Sequence, residues 1–139
     1  MQSPALIAFK SYFENLESAD TAALNDIYSS GIHFQDPIHE IRGLERLSSY
    51  FEKLNANLAS GGFRFTSEDV AGSKVFLGWD LELKLRRPAK VVRASGLSVL
   101  VLEDKIISHR DYFDAGELFY EHIPVLGGLI RVLKRKLAG

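Results

Sequence analysis

Two short segments carry the residue types that do proton chemistry. In Ile32-His33-Phe34-Gln35-Asp36-Pro37, alternation along an extended chain puts Ile32, Phe34 and Asp36 on one face and His33 and Gln35 on the other. A carboxylate in line with Ile and Phe is paired, protonated or working. Its other reading is a turn residue that binds backbone amides where Pro37 opens a turn. The second segment is Ile107 to Asp114. There Ile107, His109, Asp111 and Phe113 share one side, and Ser108, Arg110, Tyr112 and Asp114 share the other. An aromatic, an apolar residue, an imidazole and a carboxylate on one face suit a small-molecule pocket. Side chains two apart project in parallel, so His109 and Asp111 are both candidates for proton transfer. The competing reading is a charged edge strand with solvated residues.

Tyr12 and Tyr28 lie on apolar helix faces in this reading. Either phenol can donate to Asp36 or to a substrate oxygen, or be a core residue with a satisfied hydroxyl. Trp79 shares a face with four leucines and a valine and reads as wall. Its indole N–H needs a partner if buried. Metal binding has little support: His33 and His39 flank Asp36, but His33 points away, and no histidine pair has helical i, i+4 spacing. The chain has no cysteine, so thiol chemistry and disulfides are excluded. Gly61-Gly62 and Gly127-Gly128 lack the strand-to-helix context of a phosphate loop, and no Gly-x-Ser-x-Gly elbow is present.

Elements must position these groups. Pro4 to Glu17 reads as an amphipathic helix with Ala5, Phe9, Tyr12, Phe13 and Leu16 inward. Asp20 is expected to cap a second helix running through Tyr28, with Leu24, Ile27 and Tyr28 as its apolar face. A strand covers Ile32 to Asp36. A third helix after Gly43 carries Leu44, Leu47, Phe51, Leu54 and Leu58, and Gly61-Gly62 then breaks the chain. The period changes to alternation from there. Strands are predicted over Phe63–Val70, around Val75–Leu85, over Lys90–Leu102 and over Ile106–Asp114, the third of these covered on both faces. A short helix from Glu117 to His122 and a final helix after Pro124 end the chain. The result is an α+β domain: a strongly curved antiparallel sheet wrapped around N-terminal helices to form a cone, plus a C-terminal amphipathic helix.

With 139 residues, 46% of them hydrophobic and 25% charged, the chain fits one globular domain, with a core of about 4–114 and an extension of about 116–139. The formal net charge of −1 argues against a general nucleic-acid binder. The N-terminus has neither a basic region nor a long apolar run, and no stretch reaches the ~20 apolar residues of a membrane span. The default expectation is a cytoplasmic protein. Arg131, Lys134, Arg135 and Lys136 lie beside the last leucine stripe. They either complement the helix dipole or meet an anionic membrane or an acidic partner.

The element order, Phe34-Gln35-Asp36-Pro37 after two helices, Gly43 opening the third, and His109-Arg110-Asp111-Tyr112-Phe113-Asp114 at the end together resemble the nuclear transport factor 2-like superfamily, in its SnoaL-like and ketosteroid-isomerase-like branch. The resemblance implies a conical, mostly apolar pocket, no cofactor, and a homodimer packed through the outer face of the sheet. It matches Asp36 to the isomerases' proton-shuttling aspartate, Tyr12 to their oxyanion tyrosine and Tyr28 to a supporting tyrosine. Ser98 stands where those enzymes carry a second, protonated acid. His109 and Asp111 resemble the His and Asp of the polyketide cyclases and dehydratases. Phe51, Trp79 and Phe113 join Tyr28 and Ser98 as expected pocket residues. Two functions follow: a cofactor-free isomerase, cyclase or dehydratase moving a proton on an apolar carbonyl compound, or a non-catalytic binding module using the same pocket and the basic last helix.

Overall fold

A computed structural model describes residues 3–87 and 89–114. Helix α1 spans Pro4–Glu14, with Ser3 accepting from the Ala5 amide and proline in its first turn. It is shorter than the sequence suggested. Asn15 leaves the helical region at φ −140°, and Leu16–Ser18 forms a separate 3₁₀ turn. Asp20 does cap the next segment, through the Ala22 amide, but Thr21–Asp26 is a 3₁₀ turn and no helix reaches Tyr28. The sheet takes Tyr28 instead: strand β1 spans Tyr28–Gln35 and pairs Tyr28 with Ile106. A six-residue turn adds few hydrogen bonds against that sheet ladder.

Strand β2 spans Glu40–Arg42, helix α2 spans Leu44–Ala56, and β3 to β6 span Leu58–Ala71, Lys74–Leu85, Lys90–Leu102 and Ile106–Phe113. Leu58 thus opens β3 and does not close α2. Asn57 makes that switch by bonding the Arg87 carbonyl and amide with its side chain. Gly61-Gly62 lies inside β3 and does not end it. At Gly61 φ is +131° and an added Cβ would sit 2.2 Å from the Glu82 carbonyl oxygen; at Gly62 it would sit 2.3 Å from the Glu14 carbonyl oxygen. Two residues without Cβ let β3 pass the end of α1 while kinking at a register shift.

The six strands form one curved sheet in the order β2-β1-β6-β5-β4-β3. Every pairing is antiparallel except β1 with β6, which run parallel. The inner face carries Ile32, Phe34, Leu77, Trp79, Val92, Leu100 and His109, all buried, and packs on Phe9 and Phe13 of α1 and Leu47 and Phe51 of α2. On β5, Leu97, Val99 and Val101 of the outer face are half-buried. No helix among the described residues is long and apolar enough to cross a membrane. The expected helices over 117–122 and after Pro124, with the basic residues of the last one, lie outside the described residues.

Candidate functional site

Cross-strand register assembles a buried hydrogen-bonded network. Ser98 on β5 faces Asp111 on β6 directly, and Trp79 on β4 faces Gly96. A Cβ on Gly96 would come within 2.6 Å of the Trp79 ring, so glycine lets the indole lie across β5. The Trp79 Nε1–H then donates to Ser98 Oγ at 2.9 Å, and the Ser98 hydroxyl donates to Asp111 Oδ1 at 2.5 Å. A second chain arrives from β1. The Tyr28 hydroxyl lies 2.7 Å from His109 Nδ1, and His109 Nε2 lies 2.7 Å from Asp111 Oδ1. Tyr28 and His109 are 1% and 2% exposed, so no solvent competes for these bonds.

The proton positions follow from counting donors. Burial, aided by the charge of Asp111 and by Tyr12, raises the Tyr28 phenol well above its ordinary value, so it keeps its proton. That proton has one acceptor among the described residues, His109 Nδ1. Nε2 therefore carries the imidazole proton and donates it to Asp111. Both chains end as donors on Asp111 Oδ1. Among the described residues, Oδ2 accepts no hydrogen bond.

Asp111 also lines a cavity of about 160 Å³. Its walls are apolar: Phe13, Phe34, Phe51, Phe63 and Phe113, with Leu16, Leu54, Leu81 and Leu83 among the aliphatic groups. Among the described residues, four polar ones reach it: Asp36, Tyr50, Asn55 and Asp111. Asp36 follows β1 immediately and is tied into the turn. Its Oδ1 accepts from the Ile38 amide at 2.8 Å and the His39 amide at 2.6 Å, and His39 Nδ1 lies 3.2 Å from both carboxylate oxygens. The turn reading of Asp36 and the cavity reading both hold. Tyr50, on α2, sits 3.4 Å from Asp36 Oδ2. Burial first, then the charges of Asp36 and Asp111, drive its phenol far above the ordinary value. Tyr50 therefore keeps its hydrogen beside both carboxylates.

Of the residues singled out in the sequence, Asp36, Phe51, Asp111 and Phe113 line the cavity. Tyr28, Trp79, Ser98 and His109 stand behind Asp111 and hold it. Tyr12 does not reach Asp36: its hydroxyl accepts from Asn55 Nδ2 at 3.3 Å, and it borders an outer groove with Asn15 and Asp20. Its phenol is raised mainly by burial. His33 turns away from Asp36, as its strand face requires, towards Glu40 at 3.7 Å. Sequence reasoning missed Tyr50, Asn55 and His39. Tyr50 and Asn55 flank the apolar stripe of α2, beside Phe51 and Leu54, and a wider apolar arc would have included them. Among the described residues no three metal-ligating side chains cluster.

A family model described as a SnoaL-like domain matches residues 9–110. The chain belongs to the SnoaL-like family. That match includes both donor chains except Asp111, which follows its last residue by one position. Solved structures agree with this SnoaL-like domain at the level of fold. A Catenulispora acidiphila protein with a ketosteroid isomerase-like fold, in complex with trimethylamine, superposes with a TM-score of 0.73 at 15% identity, covering 86% of this chain and 92% of that one. An M. tuberculosis LEH-like epoxide hydrolase gives 0.71 at 18% identity, covering 91% and 92%. A SnoaL-like polyketide cyclase assigned in Jannaschia sp. CCS1 gives 0.67 at 14% identity, covering 82% and 90%. No curated protein matches the chain. The fold of this SnoaL-like domain is thereby the nuclear transport factor 2-like cone, and two of these proteins sharing it carry names of enzymes.

Proposed function

We propose that the cavity binds a small, largely apolar carbonyl compound and that Asp111 moves a proton on it without a cofactor. The observation that carries this reading is the convergence of two donor chains on Asp111 Oδ1, with Oδ2 accepting no hydrogen bond among the described residues, in a carboxylate that lines the cavity. Oδ1 is fixed, so the carboxylate needs little reorganisation before Oδ2 acts. A cavity of about 160 Å³ is close to the ~150 Å³ of one known to hold a benzene ring.

In the proposed step, Oδ2 takes the proton from the carbon beside the carbonyl. The C–H electron pair becomes the enolate double bond, and the carbonyl oxygen takes the charge. The second N–H of Asn55 Nδ2, and the Tyr50 O–H once it leaves its 3.4 Å bond to Asp36, are the donors that line the cavity and can meet that oxygen. In a β,γ-unsaturated carbonyl compound the enolate is a dienolate, and return of the proton from Asp111 to its γ-carbon moves the double bond and completes an isomerisation. Asp36 is a positioning residue here, because turn amides engage it and Tyr50 leans on it.

The test is deuterium incorporation into a panel of small alicyclic and aromatic ketones in heavy water, followed by NMR. The wild-type protein is expected to exchange the α-protons of at least one ketone, and Asp111→Asn to slow that exchange by about 10²–10⁴-fold. Exchange at the solvent rate, or exchange indifferent to Asp111→Asn, contradicts the reading.

A binding module without turnover is the second reading. Ser98, in the place where the isomerases carry a second acid, favours it: its hydroxyl is spent on Asp111. Ligand binding with no Asp111-dependent exchange selects this reading. Pairing of two copies through the outer sheet face, where Val91 and Tyr112 are exposed, belongs to either reading and is checked by molar mass in solution.

A further inference from the structure

We propose that the cavity selects a small organic cation, an aryl- or alkylammonium compound, over the neutral molecule of the same shape. The inference shares with the proposed function only the place of the ligand. It concerns the charge that the cavity favours in a ligand.

Among the described residues, Asp36 and Asp111 line the cavity, and no Lys, Arg or His does so. Each carboxylate has an imidazole nearby, but His39 and His109 stand outside the lining. His109 is accounted for as a neutral ring, because a second proton on Nδ1 would leave the Tyr28 hydroxyl without an acceptor among the described residues. Every hydrogen bond onto Asp111 comes from a neutral donor, Ser98 or His109. At Asp36 the turn amides and the Tyr50 phenol are neutral donors, and His39 Nδ1 lies 3.2 Å from both carboxylate oxygens, from outside the lining. Two acceptor-only carboxylates therefore share one apolar space, where their interaction is screened far less than in water. A ligand cation relieves that arrangement, whereas an anion worsens it.

The walls fit the same chemistry. Phe13, Phe34, Tyr50, Phe51, Phe63 and Phe113 surround the space with aromatic rings. Aromatic faces attract a desolvated ammonium, and aromatic cages are a known way to hold one. Rings alone accept neutral and charged ligands; carboxylates alone would attract hydrated metal ions. Their combination in about 160 Å³ specifies an organic cation of roughly one ring.

The test compares benzylammonium, benzyl alcohol and benzoate by calorimetry on the full chain, with leucine methyl NMR shifts of Leu81 and Leu83 locating the ligand. Benzylammonium is expected to bind at least about tenfold tighter than benzyl alcohol, and benzoate not at all. Asp111→Asn and Asp36→Asn are each expected to lower the benzylammonium affinity severalfold while leaving benzyl alcohol unchanged. Circular dichroism of each variant checks that the fold persists, and the wild-type comparison decides without them. Benzyl alcohol binding as tightly as the cation, benzoate binding, or no binding by any of the three overturns the inference. Loss of the cation preference with Asp111-dependent ketone exchange intact overturns this inference alone. Cation preference without exchange leaves it standing and removes the catalytic reading.

Discussion

Replacing Tyr28 by Phe isolates one hydrogen bond of the buried network. The ring stays stacked on His109, whose centroid is 5.9 Å away at an interplanar angle of 17°. Only the hydroxyl is removed, and with it the 2.7 Å bond to His109 Nδ1. That nitrogen then has no partner. His109 is 2% exposed and is packed by Phe9, Phe13 and Phe34 with ring centroids 5.3, 6.1 and 4.9 Å away, which bars water from taking the place of the hydroxyl. Leaving a buried acceptor unsatisfied costs about 1–3 kcal/mol. Tyr12→Phe is the matched control. Its hydroxyl accepts one 3.3 Å bond from Asn55 beside an open groove, so water can substitute and the loss stays below about 1 kcal/mol. Urea denaturation of both variants reads the difference, with the slope expected to match wild type. A Tyr28→Phe protein as stable as wild type, or no less stable than Tyr12→Phe, would refute the claim that Tyr28 completes the His109 acceptor.

Alkaline pH tests the buried phenols. Burial raises Tyr28 and Tyr50 above the ordinary tyrosine value of 10.0, so the folded state resists their ionisation while the unfolded chain does not. Their stabilising effect is complete below pH 10.0 and is lost as pH rises above it, and Tyr50→Phe is expected to flatten that decline in denaturation series across the alkaline range. Gly62→Ala would place a Cβ 2.3 Å from the Glu14 carbonyl oxygen, a backbone atom that cannot swing aside. It is expected to cost about 1–3 kcal/mol, whereas alanine at Gly31, with no heavy atom within 4 Å of its Cβ position, is expected to cost little. Thermal melts of the two variants check the contrast.

The sheet was legible because its signals are local. Alternation from Val75 to Leu85 placed β4, the apolar run to Leu102 placed β5 to the residue, and the faces of β6 were read correctly at His109 and Asp111. The turn at Asp20 was harder. Its cap was visible, but whether Ala22-Ala23-Leu24 continues as an α-helix depends on β6 competing for Tyr28, a contact between residues far apart in sequence. Gly61-Gly62 read as a break because the crowding by Glu14 and Glu82 that requires glycine there is tertiary.

The same division explains the site. Single faces put Asp36 and Asp111 inward, and both line the cavity. Which phenol meets which carboxylate was not readable from spacing. Tyr12 went to Asn55, Tyr28 to His109, and Tyr50, flanking the α2 stripe, took the place beside Asp36. Ser98 was expected in the pocket but stands behind Asp111, and its role as the link between Trp79 and Asp111 needed the β4–β5–β6 register.

The decisive measurement is the tautomer of His109, from ring nitrogen NMR of the uniformly labelled protein near neutral pH, assigned with His109→Gln. Convergence of both donor chains on Asp111 requires the proton on Nε2 and a lone pair on Nδ1, unchanged by Ser98→Ala. A proton on Nδ1 with none on Nε2 would reverse the Tyr28 bond and contradict the assignment of Asp111 as the acceptor that serves the cavity, and protons on both nitrogens would contradict the neutral donor set at Asp111.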